Sequence, residues 1–187
     1  MYSTAILVLL VVVYLIQMLF PGFTPLFWFN PAAVATQPWG FFTSIFLHST
    51  HDIRHLFFNG FALLMFGPFL EQRIGSRKFL ELFLAAGIVG SVFYYAFVAL
   101  GVTPSLPALG ASGAIYGILG ALAVLMPNMI VFMMFVPMPM RYAALVWVAI
   151  EFLGTFNPAS GIASAAHLGG LFLGFAYAKY FVKNKEY

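Results

Sequence analysis

The sequence predicts an all-α membrane protein, a single domain over residues 1–187 built as a bundle of six membrane-spanning helices. Its composition is 63% hydrophobic and 7% charged, whereas soluble domains carry about 25% charged residues. Charged residues are absent before Asp52, between Glu81 and Arg141, and between Glu151 and Lys179. Apolar stretches of about 20 residues are long enough to cross the hydrocarbon layer as helices. A closed β-barrel would show short alternating segments instead.

Prolines and glycines divide the apolar sequence into spans and connections. Proline interrupts helices because it lacks an amide hydrogen, so the first span is predicted to end at Pro21 and Gly22 and the fourth before Pro127. The predicted spans are 4–20, 54–70, 79–100, 112–126, 140–153 and 166–182. The main connections are 21–52, 71–78, 101–110, 129–139 and 154–165. The first connection is rich in Phe and Trp, which predicts that it lies in the membrane interface.

Lysine and arginine in the connections predict the orientation. They concentrate in segment 71–78 and near the end of the chain, two regions that six spans place on the same side as the N-terminus. Because cationic short loops remain in the cytoplasm, both termini are predicted to be cytoplasmic in a multi-pass protein of the cell membrane. Arg54 is the exception, because this assignment places its positive charge on the outer side of the membrane. The net charge of +3 comes from few, scattered cations, so nucleic acid is not expected as a partner.

Polar side chains inside the apolar spans are costly to bury, so each is a candidate for function. Ser112 begins the fourth span, His167 lies at the start of the sixth, and His55 and Asn59 lie near the start of the second. These three spans start from the outer face, and at about 1.5 Å of rise per residue the four groups share one shallow depth. His55 and Asn59 are four residues apart, which places them on one face of their helix.

The fourth and sixth spans each carry a stripe of small residues. The two stripes are Gly113, Gly117, Gly120 and Ala121, and Ala166, Gly170, Gly174 and Ala178. Small residues let membrane helices approach closely, and a serine hydroxyl must come within about 2.6–3.2 Å of the imidazole that activates it. The stripes therefore predict contact between Ser112 and His167.

Together these residues predict a hydrolase that cuts peptide bonds. Ser112 is the candidate nucleophile, and His167 would take its proton and return it to the leaving amine. The backbone N–H of Ser112 and the side chains of His55 and Asn59 would donate hydrogen bonds to the developing oxyanion. Because no Asp or Glu is obviously placed to orient the imidazole, we expect a Ser–His dyad and not a triad. The chain has no cysteine, which excludes a thiolate nucleophile.

At these residues the chain resembles the rhomboid intramembrane proteases. The matching motifs are G-x-S-G at 110–113, the aromatic partner of the histidine at Tyr116, A-H-x-x-G-x-x-x-G at 166–174, H-x-x-x-N at 55–59 and a run similar to E-x-R-x-G-S at 71–76. The resemblance covers essentially the whole chain, in order, and extends to the six-span core of the simplest members.

The resemblance implies a fold, an activity and a set of site residues. It implies a rhomboid-like six-helix bundle in the lipid bilayer that hydrolyses transmembrane protein substrates without a metal or a cofactor. It implies catalysis by Ser112 and His167, and it supports the oxyanion roles of His55 and Asn59. The supporting residues that follow from the motifs are Tyr116, Gly110, Gly113 and Gly170.

Two features depart from the family's pattern. Trp39 is followed by Gly40, where the family often has an arginine, so any contact made by that arginine is absent or replaced. The stretch 48–55 is longer than the pattern, which predicts a different winding at the start of the second span. Neither departure affects Ser112 or His167.

Two other functions remain open. A metal transporter would use His48, His51 and His55, whose spacing suits one helical face, but the span midpoints lack the carboxylates that a divalent-metal path normally uses. A non-catalytic membrane chaperone is the second alternative. A zinc protease would require H-E-x-x-H, and that motif does not occur.

The connection 154–165 is expected to form a lid. It joins the fifth and sixth spans directly above His167, and its glycines, proline and small residues suit a hinged loop. The fifth span is short and carries the bulky residues Trp147 and Phe152. We expect it to tilt outward and admit a substrate beside the second span.

Overall fold

The computed structural model describes residues 1–133, 135–157 and 163–182. This part of the chain is mostly helical, with a short β-hairpin between the sixth and seventh helices. The helices are α1 (Tyr2–Leu19), α2 (Phe23–Phe27), α3 (Gly40–Thr43), α4 (Ile53–Ile74), α5 (Ser76–Ala99), α6 (Ser112–Leu125), α7 (Met140–Thr155) and α8 (Ser164–Tyr177). A turn of wider, π-helical winding over Ala178–Val182 continues α8.

The helices differ in length and in how far they are surrounded by protein. Among the described residues, α1, α4 and α5 are long and apolar enough to cross a bilayer, with 18, 22 and 24 residues. Helix α6 is apolar but has 14 residues, about 21 Å of helix. Most of its residues are buried, as is typical of a helix enclosed on all sides. Helix α6 is therefore the central helix of the fold.

The charged segment 71–78 is not the loop that the sequence predicts. Helix α4 continues to Ile74, and the single residue Gly75, with φ of 84°, joins it to α5. The carboxylate of Glu71 explains why this segment folds back so tightly. It accepts hydrogen bonds from the amides of Tyr2 and Ser3, at 2.6 and 2.9 Å, and from the hydroxyls of Ser3 and Ser76, at 2.7 and 2.6 Å. Glu71 thus satisfies free amides at the start of α1 and joins α1, α4 and α5.

The connection 129–139 contains a β-hairpin that the sequence analysis did not predict. Strand β1 (Ile130–Met133) pairs antiparallel with β2 (Val136–Pro139). Phe135, at the tip, has a positive φ of 70° and is 97% exposed. The prolines of β2 are tolerated because β2 has a free edge that needs no amide donors.

The small-residue stripes of α6 and α8 lie against each other, as predicted. A β-carbon at Gly170 would stand 1.9 Å from the carbonyl oxygen of Gly113, and one at Gly174 would stand 1.9 Å from that of Gly117. Both distances are far below van der Waals contact, so the two backbones touch without side chains between them. This approach brings the start of α8 next to the start of α6, where His167 and Ser112 lie.

The first connection is folded over the end of the helix bundle where α1 ends and where α4 and α6 begin. Residue Phe29 pairs through its backbone with Ala108, with N···O distances of 2.9 and 2.8 Å. The side chain of Gln17, near the end of α1, exchanges two hydrogen bonds with the backbone of His48, at 2.9 and 3.0 Å. At Gly40, a β-carbon would stand 2.7 Å from the carbonyl oxygen of Trp28. The departure at Gly40 therefore has a physical reason, since this backbone contact requires glycine.

Candidate active site

Ser112 lies at the start of α6, and the backbone before it sets its position. Gly110 has φ of 127°, a conformation that glycine adopts without strain. Its amide donates a hydrogen bond to the carbonyl oxygen of Ser44, 2.9 Å away, which fixes the turn to the first connection. The turn presents the Ser112 hydroxyl toward α8, where its Oγ lies 2.7 Å from Nε2 of His167. The structure thus brings the predicted nucleophile and base together.

The imidazole of His167 is held in place by an aromatic ring. It lies in the first turn of α8, is 8% exposed, and stacks on Tyr116 with ring centroids 4.4 Å apart and planes 6° apart. Tyr116 is one turn after Ser112 on α6, so the same helix provides both the hydroxyl and the stacking ring. The ring plane of His167 is thereby fixed while Nε2 points at Ser112.

The expectation that no carboxylate approaches this imidazole is wrong. Oε2 of Glu151, on α7, lies 3.1 Å from Nδ1 of His167, although the two groups are not aligned as a hydrogen bond. The hydroxyl of Tyr116 donates a hydrogen bond to Oε1 of the same carboxylate. Glu151 is 6% exposed. A carboxylate near the end of a mostly apolar helix was the signal that sequence reasoning passed over, since such groups are functional candidates by default.

His55 and Asn59 lie beside the turn that carries Ser112. A β-carbon at Gly110 would stand 2.7 Å from Nε2 of His55 and 3.7 Å from Nδ2 of Asn59. Asn59 is 7% exposed, and its Nδ2 donates no hydrogen bond within the described residues. A buried amide without an acceptor requires an explanation. An oxygen that develops negative charge next to Ser112 would supply the acceptor.

A cavity of about 930 Å³ opens onto the start of α6 and the first turn of α8. Its lining includes Ser112, His167 and His55, with residues of the first connection and of the turn 103–109. Several of the predicted site residues do not line the cavity. Among them, Asn59 lies beside Gly110, and Gly113 and Gly170 lie where α6 and α8 cross. One water in the liquid occupies about 30 Å³, so the cavity has room for an extended peptide segment together with water.

His48 also lines the cavity, and its chemistry differs from that of His167. It is fully buried, and its ring lies edge-on to that of His55 with centroids 5.1 Å apart. Burial, reinforced by the His55 imidazole, lowers the pKa of His48 to about 3. Neither ring nitrogen makes a hydrogen bond to a described residue, although the Phe46 carbonyl approaches the ring. His48 is therefore neutral at physiological pH.

The predicted lid begins later than the sequence indicates. Gly154 and Thr155 form the last turn of α7, and a β-carbon at Gly154 would stand 2.5 Å from the hydroxyl of Ser164. The end of α7 therefore packs directly on the start of α8. Pro158 and Gly161, on which the predicted hinge depends, lie outside the described residues.

Comparison with known proteins gives concordant matches. The model of a family described as the rhomboid domain matches residues 35–184. Rhomboid protease GluP of Bacillus subtilis is 38% identical over 138 residues, which cover 73% of this chain and 25% of that protein. Rhomboid protein 1, mitochondrial, of Saccharomyces cerevisiae is 34% identical over 148 residues, 74% of this chain and 41% of the relative.

A third relative is matched over most of its own length. The putative rhomboid protease YdcA of Bacillus subtilis is 32% identical over 162 residues, which cover 84% of this chain and 74% of YdcA. The aligned part of the chain thus spans a quarter of GluP, about two fifths of the yeast protein and about three quarters of YdcA.

Proposed function

The chain belongs to the rhomboid family, and from that premise we propose that it is an intramembrane serine endopeptidase. Its substrates would be membrane proteins, cut in or near their transmembrane segments. The observation that carries the proposal is the 2.7 Å contact between Oγ of Ser112 and Nε2 of His167 at the base of the cavity. Nucleophile and base must lie within hydrogen-bond reach of each other for this chemistry.

In the proposed reaction Ser112 is the nucleophile and His167 carries the proton. Ser112 Oγ attacks the carbonyl carbon of the scissile peptide bond while its proton moves to Nε2 of His167. The tetrahedral intermediate collapses, the C–N bond breaks, and the same proton passes to the leaving amine. A water then attacks the resulting ester by the reverse sequence, which releases the acid and restores Ser112.

Two experiments on the purified protein in lipid vesicles test the proposal. A fluorophosphonate probe is expected to label Ser112, because it reacts with activated serine hydroxyls. A panel of single-span membrane proteins is expected to include substrates that the wild type cuts and Ser112→Ala does not. A wild-type protein that neither reacts with the probe nor cuts any member of a broad panel would refute the function, and a transporter or chaperone would then be the alternative.

The oxyanion is proposed to form beside Gly110, where His55 and Asn59 converge. Asn59→Ala is expected to lower kcat by about 10²–10³-fold, because one oxyanion donor typically contributes that much. Steady-state cleavage of a fluorogenic transmembrane substrate would measure it. Asn30→Ala is the matched control, since the Asn30 side-chain oxygen accepts a hydrogen bond from the Ala32 amide in the first connection and its atoms are not among those nearest to Gly110. Equal activity of Asn59→Ala and wild type would reduce Asn59 to a packing role.

We also propose six membrane spans, corresponding to α1, α4, α5, α6, α7 and α8, in the cell membrane with both termini in the cytoplasm. The lengths of α1, α4 and α5 support three of the spans. The cations around Arg73 and at the end of the chain support the orientation, because positive loops stay in the cytoplasm.

This orientation predicts a labelling pattern. In intact cells an impermeant maleimide is expected to label Val102→Cys, in the turn after α5, and to label Lys185→Cys only after the membrane is permeabilised. The chain has no cysteine of its own, so each signal reports one position. Labelling of position 185 in intact cells would reverse the topology.

The route of the substrate is proposed to pass between α4 and α7. Helix α4 packs on α1, α5 and α6, whereas α7 packs on α6, α8 and the hairpin. Helices α4 and α7 make little contact with each other among the described residues, and we propose that the seam between them is the side that opens. Phe57 of α4 and Phe152 of α7 are both more than half exposed and present apolar surface to lipid.

Opening of this seam is expected to limit turnover. Phe152→Ala should raise the cleavage rate several-fold, because it removes a bulky side chain from the helix that must move. Phe175→Ala, a comparably exposed phenylalanine on α8, serves as the control and should leave the rate unchanged. A disulfide between cysteines placed on α4 and α7 should slow cleavage until it is reduced. Full activity with the disulfide completely formed would exclude this route.

A further inference from the structure

The proposed reaction makes no use of Glu151, although its carboxylate contacts three side chains of the site. Oε2 lies 3.1 Å from Nδ1 of His167, and Oε1 accepts a hydrogen bond from the hydroxyl of Tyr116. Ser164, at the start of α8, provides a further side-chain hydrogen bond. Glu151 is therefore surrounded by donors on α6 and α8 while its own backbone belongs to α7.

Burial of this carboxylate has a cost that an apolar residue would avoid. Glu151 is 6% exposed near the end of a helix whose other charged residue, Arg141, lies at the opposite end, and a carboxylate in such a place is stable only when hydrogen-bonded. Replacing a buried polar network by apolar packing is often neutral or stabilising. Stability alone therefore does not explain why a carboxylate occupies this position.

The two nitrogens of His167 face two different groups. Nε2 lies against Ser112 and Nδ1 lies against Glu151. To accept the proton of Ser112, Nε2 must be unprotonated, so the hydrogen of the neutral ring must be on Nδ1. A carboxylate beside Nδ1 favours that tautomer, because the second ring nitrogen is set by the group that it contacts.

We propose that Glu151 is a positioning residue, which holds His167 in the tautomer and orientation that activate Ser112. This inference rests on the proposed peptidase activity and adds a third member to its Ser–His pair. Tyr116 links the parts, because its ring stacks on the imidazole and its hydroxyl holds the carboxylate. The contact from Glu151 to Nδ1 is not aligned as a hydrogen bond, and contacts of catalytic groups often tighten when a substrate binds.

Glu151 gains and loses no proton during the reaction. When Ser112 attacks, its proton moves to Nε2, and the imidazolium carries a positive charge beside the carboxylate. When the C–N bond breaks, the proton leaves Nε2 for the amine, and the ring returns to its Nδ1-protonated neutral form. The carboxylate stabilises the charged ring in both half-reactions and remains ionised.

The test is Glu151→Gln, which keeps the size of the side chain and an oxygen for the Tyr116 hydroxyl. Its amide can present an N–H to Nδ1 and so favour the wrong tautomer. We expect kcat to fall by about 10²–10⁴-fold, where the upper figure is the loss known when the carboxylate of a catalytic triad is neutralised, with KM changed less than about threefold. Labelling of Ser112 by the fluorophosphonate should slow by a similar factor.

The tautomer provides a readout that a purely structural role would not change. In ¹⁵N spectra of histidine-labelled protein, with the His167 signals identified by their loss in His167→Gln, wild type is expected to show the Nδ1-protonated form. Glu151→Gln should shift His167 toward the Nε2-protonated form. Glu81→Gln is the matched control, since Glu81 pairs with Arg77 on the surface, and it should change neither the spectrum nor kcat.

The outcomes separate this inference from the proposed function. If wild type cuts substrates and Glu151→Gln retains full kcat and an unchanged tautomer, the inference is wrong and the peptidase activity stands. If Glu151→Gln does not fold, Tyr116→Phe replaces it, because it keeps the stacked ring and removes the hydroxyl that orients the carboxylate. We expect Tyr116→Phe to lower kcat about 3–30-fold, the effect of one lost hydrogen bond, and an unchanged kcat would also overturn the inference.

Discussion

Ser112→Ala and His167→Ala are each expected to lower kcat by roughly 10⁴–10⁶-fold, to the background of the assay. Ser112 provides the atom that forms the ester, and His167, 2.7 Å away, carries the proton in both half-reactions. The measurement is single-turnover cleavage of a transmembrane substrate, which detects activity far below the wild-type rate.

The double variant distinguishes a cooperating pair from two independent effects. Residues that act as one unit are strongly non-additive, so Ser112→Ala with His167→Ala should be no slower than either single variant. Ser91→Ala is the matched control, because the Ser91 hydroxyl donates a hydrogen bond to the backbone carbonyl of Gly87 within α5 and does not line the cavity. Substantial cleavage by Ser112→Ala would remove the mechanism, whatever the behaviour of the other variants.

Gly170→Ala is expected to destabilise the protein and to impair catalysis together. Its β-carbon would stand 1.9 Å from the carbonyl oxygen of Gly113, a backbone atom that cannot turn aside as a side chain could. Overpacking typically costs about 1–3 kcal/mol, which lowers the Tm of a protein of this size by about 2–12 °C. Because Gly113 adjoins Ser112, separation of the helices should also reduce kcat by about 10²-fold, the effect of a misplacement near 1 Å.

Thermal unfolding in detergent and the cleavage assay measure the two effects on the same sample. Gly22→Ala is the control, since no atom lies within 4 Å of its added methyl group and its φ of −74° suits alanine. Wild-type Tm and wild-type kcat for Gly170→Ala would mean that α6 and α8 have room to separate, contrary to the contact described above.

Much of the architecture could be predicted because it depends on local rules. Helices α1, α6 and α7 begin and end within two residues of the predicted bounds, since proline and glycine mark their ends. The approach of Ser112 to His167 could also be predicted, because two stripes of small residues on different helices have few other ways to pack.

Other features depend on contacts between distant parts of the chain. Segment 71–78 has the composition of a loop, yet it is helical because Glu71 bonds the amides of Tyr2 and Ser3. Periodicity places Glu151 on a helix, but it does not give the rotation of α7 that directs the carboxylate toward α8. In the hairpin after α6, apolar and polar residues do not alternate along the strands. The strands could therefore not be distinguished from a proline-rich connection.

The stack of Tyr116 on His167 has a consequence for timing. Each turnover requires the histidine twice, once before the first peptide fragment leaves and once after water arrives. Between these events a free imidazole would flip about its Cβ–Cγ bond and exchange the places of its nitrogen and carbon atoms, which occurs in picoseconds to nanoseconds for an exposed side chain. With a parallel ring 4.4 Å away and 8% exposure, a flip would drive the ring edge into Tyr116. In the proposed reaction the imidazole would therefore keep its orientation until water arrives, and the arrival of that water, not a rotation of the ring, would set when the second half-reaction can begin.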